Sequence, residues 1–195
     1  MGKIVISTNV SLDGVVQDPD GKEDFQHGGW FGEFGGTDLS EWSEISFAES
    51  VRSEAMLLGR RTDEWFAARW NGRTGAWADR LSAMPKYIVS STAEDVRWGG
   101  NGTVLRGDAV TEVTKLKQDL DGEIIVYASY QLGRTLLEND LVDEIRLTVF
   151  PVVLGSGERL FGGTRDKKPM RLLDVTTVGH GLTHLTYELV RVAPR

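Results

Sequence analysis

Short apolar, β-branched runs alternate with helix-like patterns along most of this 195-residue chain. Lys3–Thr8 (KIVIST) and Glu123–Ala128 (EIIVYA) are typical of buried strands. Met170–Val192 predicts two strands joined by a tight turn around Gly179-His180-Gly181. Alternation of this kind, followed by a hairpin, predicts an α/β fold whose sheet is mostly parallel with an antiparallel edge. Because we find no linker and no repeat, we expect one domain over residues 1–195.

The charge balance is acidic, and it argues against several classes of partner. The chain has 22 Lys+Arg against 29 Asp+Glu, a formal net charge of −7. General binding to nucleic acid or to an anionic membrane needs a basic footprint instead, and no apolar stretch approaches the roughly 18 residues of a membrane span. The chain contains no cysteine, which excludes disulfides and thiolate metal sites, and we expect a cytoplasmic protein.

Polar, small or cationic residues follow three of the predicted strands. The stretches are Gly59-Arg60-Arg61-Thr62, Ser90-Ser91-Thr92 and Ala128-Ser129-Tyr130. In open α/β sheets, ligands bind at the carboxyl ends of the parallel strands, where helix N-termini and arginine side chains favour phosphate. Taken alone, each stretch is more typical of a helix cap, a solvated charge or a turn. Their recurrence predicts an elongated, phosphorylated ligand such as a dinucleotide.

The glycine-rich segment Asp18–Gly36 is too long for a simple connection. It contains Trp30, and two interpretations stay open: a lid that closes over a substrate, or a mobile surface loop. We expect no metal site, because His180 and His184 lie four residues apart on a predicted hairpin rather than on a helix.

Four stretches together resemble the dihydrofolate reductase-like superfamily. They are ISTNVSLDGVVQ, MLLGRRTDEW, PKYIVSST and IIVYASYQLGRTLLENDLVDEIRLTVFPVVLGSGERLF, and with the closing hairpin they cover nearly the whole chain. Within the superfamily, the chain resembles the reductase (C-terminal) domain of the bifunctional riboflavin-biosynthesis deaminase-reductase and its free-standing relatives. The zinc-dependent deaminase half has no counterpart here, because its ligands need cysteines.

The resemblance implies a three-layer α/β/α fold around a mixed sheet, NADPH as hydride donor and, frequently, a homodimer. Residues that match the family's cofactor-binding stretches are expected to hold NADPH. Those bordering the nicotinamide are Thr8, Asn9, Val16 and Gln17; those near the phosphates are Gly59, Arg60, Arg61, Thr62, Ser90, Ser91, Thr92, Ala128, Ser129, Tyr130, Gln131 and Leu132.

The substrate side departs from the folate reductases. Counting back along LSEWSEISFAES puts Ser43 where those enzymes carry their substrate-binding acid, with Phe47 one turn later on the same face. This spacing argues against folate binding through a buried carboxylate. We expect Trp30, Ser43 and Phe47 to line the substrate pocket. A bound water, Asp13 or Glu44 is the expected source of any proton.

These features predict a small-molecule enzyme that transfers a hydride from NADPH to a heterocyclic or carbonyl substrate. Two alternatives stay open. One is a riboflavin-pathway reductase acting on a ribosylamino-pyrimidine, which would need further cationic or hydroxyl contacts for the phosphate of its substrate. The other is a non-catalytic, dimeric nucleotide-binding protein that has kept the fold.

Overall fold

The computed structural model describes residues 1–191, in which one eight-stranded sheet lies between two sets of helices. In chain order the strands are β1 (Lys3–Ser11), β2 (Ser53–Gly59), β3 (Lys86–Val89), β4 (Gly102–Leu105), β5 (Glu123–Tyr127), β6 (Glu144–Phe150), β7 (Met170–Val178) and β8 (Leu182–Leu189). The helices are α1 (Trp30–Gly35), α2 (Leu39–Arg52), α3 (Arg60–Trp70), α4 (Ala76–Ala83), α5 (Ala109–Asp119) and α6 (Tyr130–Glu138), and a 3-10 turn over Gly36–Asp38 joins α1 to α2.

The strand order across the sheet is β4-β3-β2-β5-β1-β6-β8-β7. The strands from β4 to β6 pair in parallel along this row, whereas β8 pairs antiparallel with both β6 and β7. The predicted α/β fold, with a mostly parallel sheet and a C-terminal antiparallel hairpin, is therefore confirmed. Val192, where the second hairpin strand was predicted to end, lies outside the described residues.

The central strands are buried on both faces, which makes the fold three-layered. In β2, Leu57 packs in a cluster with α5 and α6, while Met56 and Leu58 pack with α3 and α4 on the opposite face. Side chains alternate between the two faces in the same way along β5. A strand that packs on both sides needs apolar residues at every position, and this explains the continuous apolar runs in the sequence.

Two helices, α1 and α4, occupy segments where the sequence pattern indicated none. Helix α1 lies inside the glycine-rich segment Asp18–Gly36 and forms around Trp30, which is 1% exposed. The Trp30 indole packs edge-on against the Phe150 ring, with 5.3 Å between the ring centroids. Because α1 contains two glycines in six residues, tertiary packing rather than helix propensity orders it. Within residues 1–191, none of the helices has both the length and the apolar character needed to cross a bilayer.

The ends of β2 and β5 are joined by one hydrogen bond. Helix α3 begins directly after Gly59, whereas Ala128 and Ser129 separate β5 from α6. Both of these residues have left-handed backbone, with φ of 47° and 45°. This conformation aims the Ser129 hydroxyl at β2, where its oxygen accepts the Gly59 N–H at 3.0 Å. The two neighbouring helices therefore start side by side at one edge of the sheet.

Ala128→Gly is expected to raise the free energy of unfolding by about 1 kcal/mol, because glycine adopts left-handed backbone without the Cβ clash of an L-residue. Urea unfolding followed by circular dichroism measures this change. The matched control is Ala68→Gly at an exposed position inside α3, where the same substitution is expected to lower the free energy of unfolding by about 1 kcal/mol. Destabilisation by both substitutions would contradict the backbone conformation at Ala128.

Candidate active site

A cavity of about 550 Å³ opens at the carboxyl edge of the parallel strands. We call the part formed by the ends of β2 and β5 the strand-end half. It is lined by Gly59, Arg60, Arg61, Thr62, Ala128, Ser129, Tyr130, Gln131 and Leu132. We call the part enclosed by α2, α3, α4 and the sheet the aromatic half. It is lined by Ser7, Trp42, Ser46, Glu49, Phe66, Trp70, Trp77, Leu81, Tyr127, Thr148 and His184.

Most of the residues predicted to bind the cofactor line this one cavity. The strand-end half contains every predicted residue at the ends of β2 and β5, and Thr8, Asn9 and Val16 also line the cavity. The fold thus brings together three segments that are far apart in the sequence. Asn9 is further held by its side-chain oxygen, which accepts the Trp42 indole N–H at 2.9 Å. The assignment of these residues to cofactor binding stays a prediction.

Ser90, Ser91 and Thr92 are not among the residues that line the cavity. The Ser90 hydroxyl oxygen accepts the N–H groups of Thr92 and Ala93 at 3.1 and 3.0 Å. This is the geometry of a serine-stabilised turn, so the structure accounts for the stretch without a ligand. The neighbouring residue that does line the cavity is Val89, at the end of β3.

Gln17 and Trp30 also lie outside the cavity wall, contrary to their predicted places beside the nicotinamide and the substrate. The side-chain oxygen of Gln17 accepts the Glu158 N–H at 3.0 Å, and the backbone carbonyl oxygen of Gln17 accepts the Trp30 indole N–H at 2.9 Å. Trp30 belongs instead to the apolar core between α1 and the sheet. Both residues therefore support the loop beside the cavity rather than the cavity itself.

Helix α2 presents a different face to the cavity from the one expected. Ser43, Phe47 and Glu44 do not line the cavity, and Glu44 is exposed. The residues of α2 in the cavity wall are spaced three and four apart: Trp42, Ser46 and Glu49. Ser46 and Glu49 are buried although they are polar. A helix that buries polar side chains gives no hydrophobic periodicity from which its inner face could be read.

The Asp13 carboxylate stabilises a turn and does not line the cavity. Its carboxylate accepts the N–H groups of Leu154 and Gly155 at 3.1 and 2.9 Å and the Ser11 hydroxyl at 2.6 Å. Burial acts to raise the pKa of Asp13, but these hydrogen bonds hold the pKa well below its ordinary value. Arg159 pairs with the same carboxylate at 3.2 Å. The structure thus gives Asp13 a supporting role in place of the expected proton transfer.

The carboxylate in the lining of the aromatic half is Glu49, whose side chain is 2% exposed. One oxygen accepts the Ser7 hydroxyl at 2.8 Å. The other, Oε1, has no hydrogen-bond partner among residues 1–191 and lies 3.6 Å from an Arg146 nitrogen and 3.8 Å from His184 Nε2. Burial raises the pKa of Glu49, opposed by the Ser7 hydrogen bond and the Arg146 charge. An acid with these properties is suited to bind a donor or to deliver a proton.

Arg146 lies in the sheet beneath α2 and forms ion pairs with several carboxylates. Its guanidinium donates to Glu144 at 2.7 Å and to Glu123 at 2.9 Å, and Lys3 donates to Glu144 at 2.6 Å. Since Glu123 and Glu144 hold the guanidinium directly, Arg146 offsets only part of the penalty for burying Glu49. This arrangement explains how the pKa of Glu49 is raised although a cation lies nearby.

Tyr127 and His184 complete the polar floor of the aromatic half. Burial and the charge of Glu49 raise the pKa of Tyr127, so the phenol keeps its proton and can act as a donor. Burial and the charge of Arg146 lower the pKa of His184. Its Nδ1 lies 3.1 Å from the Thr148 hydroxyl. The floor therefore consists of one acid, one phenol and an uncharged imidazole at neutral pH.

The strand-end half has a different electrostatic character. In the described chain, no side chain caps the N-terminus of α3 or α6, so both helices present free N–H groups at this edge. Arg60 pairs with Glu64 at 2.8 Å, and the adjacent Arg61 is exposed. Free helix N–H groups and arginine side chains are the donors that phosphate groups prefer.

The loop over residues 18–29 closes one side of the cavity. The buried Asp18 carboxylate accepts three backbone N–H groups of this loop, which therefore wraps around it. Asp20 pairs with Arg69 at 2.6 Å and accepts the Trp65 indole N–H at 3.0 Å. Since Trp65 and Arg69 belong to α3, these contacts hold the loop against the helix that opens the strand-end half.

Comparison with known proteins identifies the family. The family model of the RibD C-terminal domain matches residues 2–184. The chain belongs to the RibD C-terminal domain family. This match confirms the resemblance to the C-terminal domain of the riboflavin-biosynthesis enzyme that the sequence shows. The family and the fold support a reductase-type protein.

Two relatives of this RibD C-terminal domain protein come from Bacillus subtilis (strain 168). The uncharacterized protein YwjB is 27% identical over 180 residues, which are 92% of this chain and 94% of YwjB. The uncharacterized protein YyaP is 29% identical over 107 residues, which are 55% of this chain and 56% of YyaP. The matched part of YyaP is thus little more than half of either protein.

Solved structures share the fold of the RibD C-terminal domain protein at low sequence identity. A protein from Shewanella sp. PV-4 named for riboflavin biosynthesis is 22% identical with a TM-score of 0.75, covering 97% of this chain and 99% of that chain. Acinetobacter baumannii RibD is 16% identical with a TM-score of 0.64, covering 98% of this chain and 59% of that chain. Enterococcus faecalis dihydrofolate reductase in complex with NADP(H) is 13% identical with a TM-score of 0.57, covering 96% of both chains.

The difference in the free energy of unfolding between Glu49→Gln and the unchanged protein is expected to move in favour of the variant as the pH rises. A carboxyl group with a raised pKa in the folded state contributes stability that is fully present below its unfolded pKa, near 4.5. This contribution is lost as the pH rises through the folded pKa. Glutamine does not titrate, so urea unfolding between about pH 4 and pH 8 should show the unchanged protein losing stability relative to the variant.

Glu44→Gln, at an exposed position of the same helix, is the control for this measurement. The change with pH is expected to be larger for Glu49→Gln than for Glu44→Gln, because Glu49 is buried and Glu44 is exposed. Equal changes with pH for the two variants would contradict the burial of the Glu49 carboxylate.

Proposed function

We propose that this protein is an NADPH-dependent reductase that transfers a hydride to a small heterocyclic or carbonyl substrate in the aromatic half. The observation that carries the proposal is that one cavity joins a sheet edge with free helix N–H groups and two arginines to the buried acid Glu49. The family and the fold support a reductase. Among the structures with this fold, the Enterococcus faecalis dihydrofolate reductase was solved with NADP(H).

The strand-end half fits the phosphates of NADPH by the chemistry of its donors. The free N–H groups at the starts of α3 and α6 would hold the pyrophosphate, and Arg61 would pair with the phosphate that distinguishes NADPH from NADH. Ala128 and Ser129 adopt left-handed backbone of the kind that glycine favours. Strained backbone of this type is concentrated at ligand sites, which supports a binding role.

The chain's own residues would hold the substrate and manage its proton. Bound NADPH would supply the hydride from its nicotinamide ring. Glu49 Oε1 would accept an N–H of the substrate or, when protonated, donate its proton to it. The Tyr127 hydroxyl would donate to an acceptor on the substrate, and the loop over residues 18–29 would exclude water.

Two measurements test this function. Saturable quenching of protein fluorescence by NADPH, with weaker binding of NADH, is the expected result of a cofactor titration, and the absence of saturable binding would contradict the proposal. NADPH oxidation is then followed with a panel of pterins, pyrimidines and quinones. Tight NADPH binding without turnover on any of them would favour the alternative of a non-catalytic nucleotide-binding protein.

Arg61→Ala is expected to weaken NADPH binding by about 1–3 kcal/mol while leaving NADH binding nearly unchanged, because a charge-assisted hydrogen bond to the extra phosphate is lost. Arg60→Ala should have a smaller effect, since Arg60 is already paired with Glu64. Calorimetric titration of both cofactors measures the difference. Arg165→Ala, whose side chain is 86% exposed and lies outside the cavity, is the control. Equal weakening of both cofactors by Arg61→Ala would show that this arginine does not contact the extra phosphate.

We also propose that two copies of the chain associate through β7. Among the strands of residues 1–191, this edge strand pairs with β8 alone, and it exposes Leu172, Leu173 and Val175 by 49, 46 and 52%. An exposed apolar edge strand is a template for pairing with another strand, and proteins usually cover it.

Replacing Leu172 and Val175 together by lysine is expected to convert a dimer into a monomer, because paired edges would then bring like charges together. Size-exclusion chromatography with light scattering gives the mass directly. Leu12→Lys, at a side chain that is 62% exposed elsewhere, should leave the mass unchanged. A monomeric unchanged protein would contradict the association.

A further inference from the structure

We infer that the aromatic half takes an unphosphorylated, planar heteroaromatic ring rather than a phosphate-bearing substrate. The inference rests on the proposed function, since it names the class of molecule that would receive the hydride. Three independent features of the aromatic half carry it: the arrangement of its rings, the polar atoms left without partners, and the sign of its charge.

The aromatic side chains form a continuous belt along one wall. Trp42 of α2 meets Trp77 of α4 with 5.9 Å between ring centroids, and Trp77 meets Trp70 of α3 at 5.0 Å. Phe66 continues the belt from Trp70 at 6.3 Å. All four line the cavity. Three separate helices thus contribute rings to one surface, and such a surface favours a flat, aromatic ligand that can stack on it or meet its edges.

Three buried polar atoms at this wall have no hydrogen-bond partner among residues 1–191. They are Oε1 of Glu49, the hydroxyl of Tyr127 and Nε1 of Trp77. Buried polar atoms almost always have a hydrogen-bond partner, so an unpaired polar atom at a cavity wall indicates a place where a ligand would supply that partner. Glu49 Oε1 accepts a hydrogen bond when ionised, while Tyr127 and Trp77 can donate. A ring that offers both N–H donors and nitrogen or oxygen acceptors matches this set, whereas a hydrocarbon ring does not.

The charge of the aromatic half disfavours a phosphate group. Within residues 1–191, its lining contains no lysine or arginine, and the cations that line the cavity, Arg60 and Arg61, belong to the strand-end half. Arg146 lies below the floor, where its charge is shared by Glu123, Glu144 and, at 3.6 Å, Glu49. A phosphate bound here would therefore face the Glu49 carboxylate with no cation in the lining to compensate it, and juxtaposed like charges destabilise a complex. The uracil derivative in the name of a Thermotoga maritima structure with this fold carries a phosphoribosyl group; we expect this protein to select against one.

The test uses 6-hydroxymethylpterin and its phosphate monoester, which share a planar heteroaromatic ring and differ only in the phosphate. Both are titrated by calorimetry into the full chain saturated with NADP⁺, so that the strand-end half is occupied. The unphosphorylated pterin is expected to bind at least about tenfold more tightly than the ester. Equal or tighter binding of the ester would overturn the inference.

Two substitutions of one residue test the aromatic belt. Trp77→Leu is expected to weaken the pterin by at least about tenfold, because both the ring and the indole N–H are lost. Trp77→Phe keeps a ring and loses only the N–H, so it should weaken the pterin clearly less than Trp77→Leu does. Circular dichroism and the NADPH affinity report whether each variant has kept its fold, and the pair of ligands decides the question even if a variant does not fold. Equal affinity of the two variants for the pterin would show that the ring at this position does not contact the ligand.

The same experiments separate this inference from the proposed function. If NADPH binds and neither pterin does, the inference on substrate class is overturned while the reductase proposal stands. If NADPH itself does not bind, the reductase proposal is contradicted.

Discussion

The polar contacts between helix α2 and the sheet determine the chemistry of the cavity. Glu49 reaches from the helix to the Ser7 hydroxyl of β1 and toward Arg146 of β6, and Arg146 is itself held by Glu123 and Glu144. Breaking such a buried network by removing one partner is strongly destabilising, because the remaining charge is left uncompensated. The network therefore fixes the position of α2 and, with it, the acid and the tryptophan that the helix contributes to the aromatic half.

The two halves of the cavity derive their chemistry from different parts of the chain, one from side chains and the other mainly from the backbone. In the aromatic half, side chains from distant strands and helices converge on a desolvated acid, whose raised pKa is a consequence of its burial. In the strand-end half, the backbone carries most of the chemistry. The Gly59–Ser129 hydrogen bond and the left-handed residues before α6 place two helix N-termini side by side. Since both halves open into one cavity, an anionic cofactor and an uncharged ring could lie next to each other.

Much of the fold could be predicted from the sequence, because strands buried on both faces leave continuous apolar runs and the hairpin carries its own turn signal. The ends of β2 and β5 could be found for a similar reason: polar residues after a buried strand mark the carboxyl edge. Helix α1 could not be predicted, since it forms by packing Trp30 in a segment rich in glycine. The same pattern-based reasoning failed for Glu49. Its helix buries polar residues, so counting along the chain selected Ser43, which does not line the cavity. Tyr127, Thr148 and His184 belong to the site only through strand pairing, which leaves no local signal in the sequence.

The use of one cavity for both cofactor and substrate is tested most directly by a crystal structure of the protein with NADP⁺. The pyrophosphate is expected within hydrogen-bond distance of the first N–H groups of α3 and α6. The nicotinamide ring is expected to lie between Thr8 and Val16, with its open face toward Glu49. A cofactor bound at any other edge of the sheet, or a nicotinamide directed away from Glu49, would contradict the proposed function.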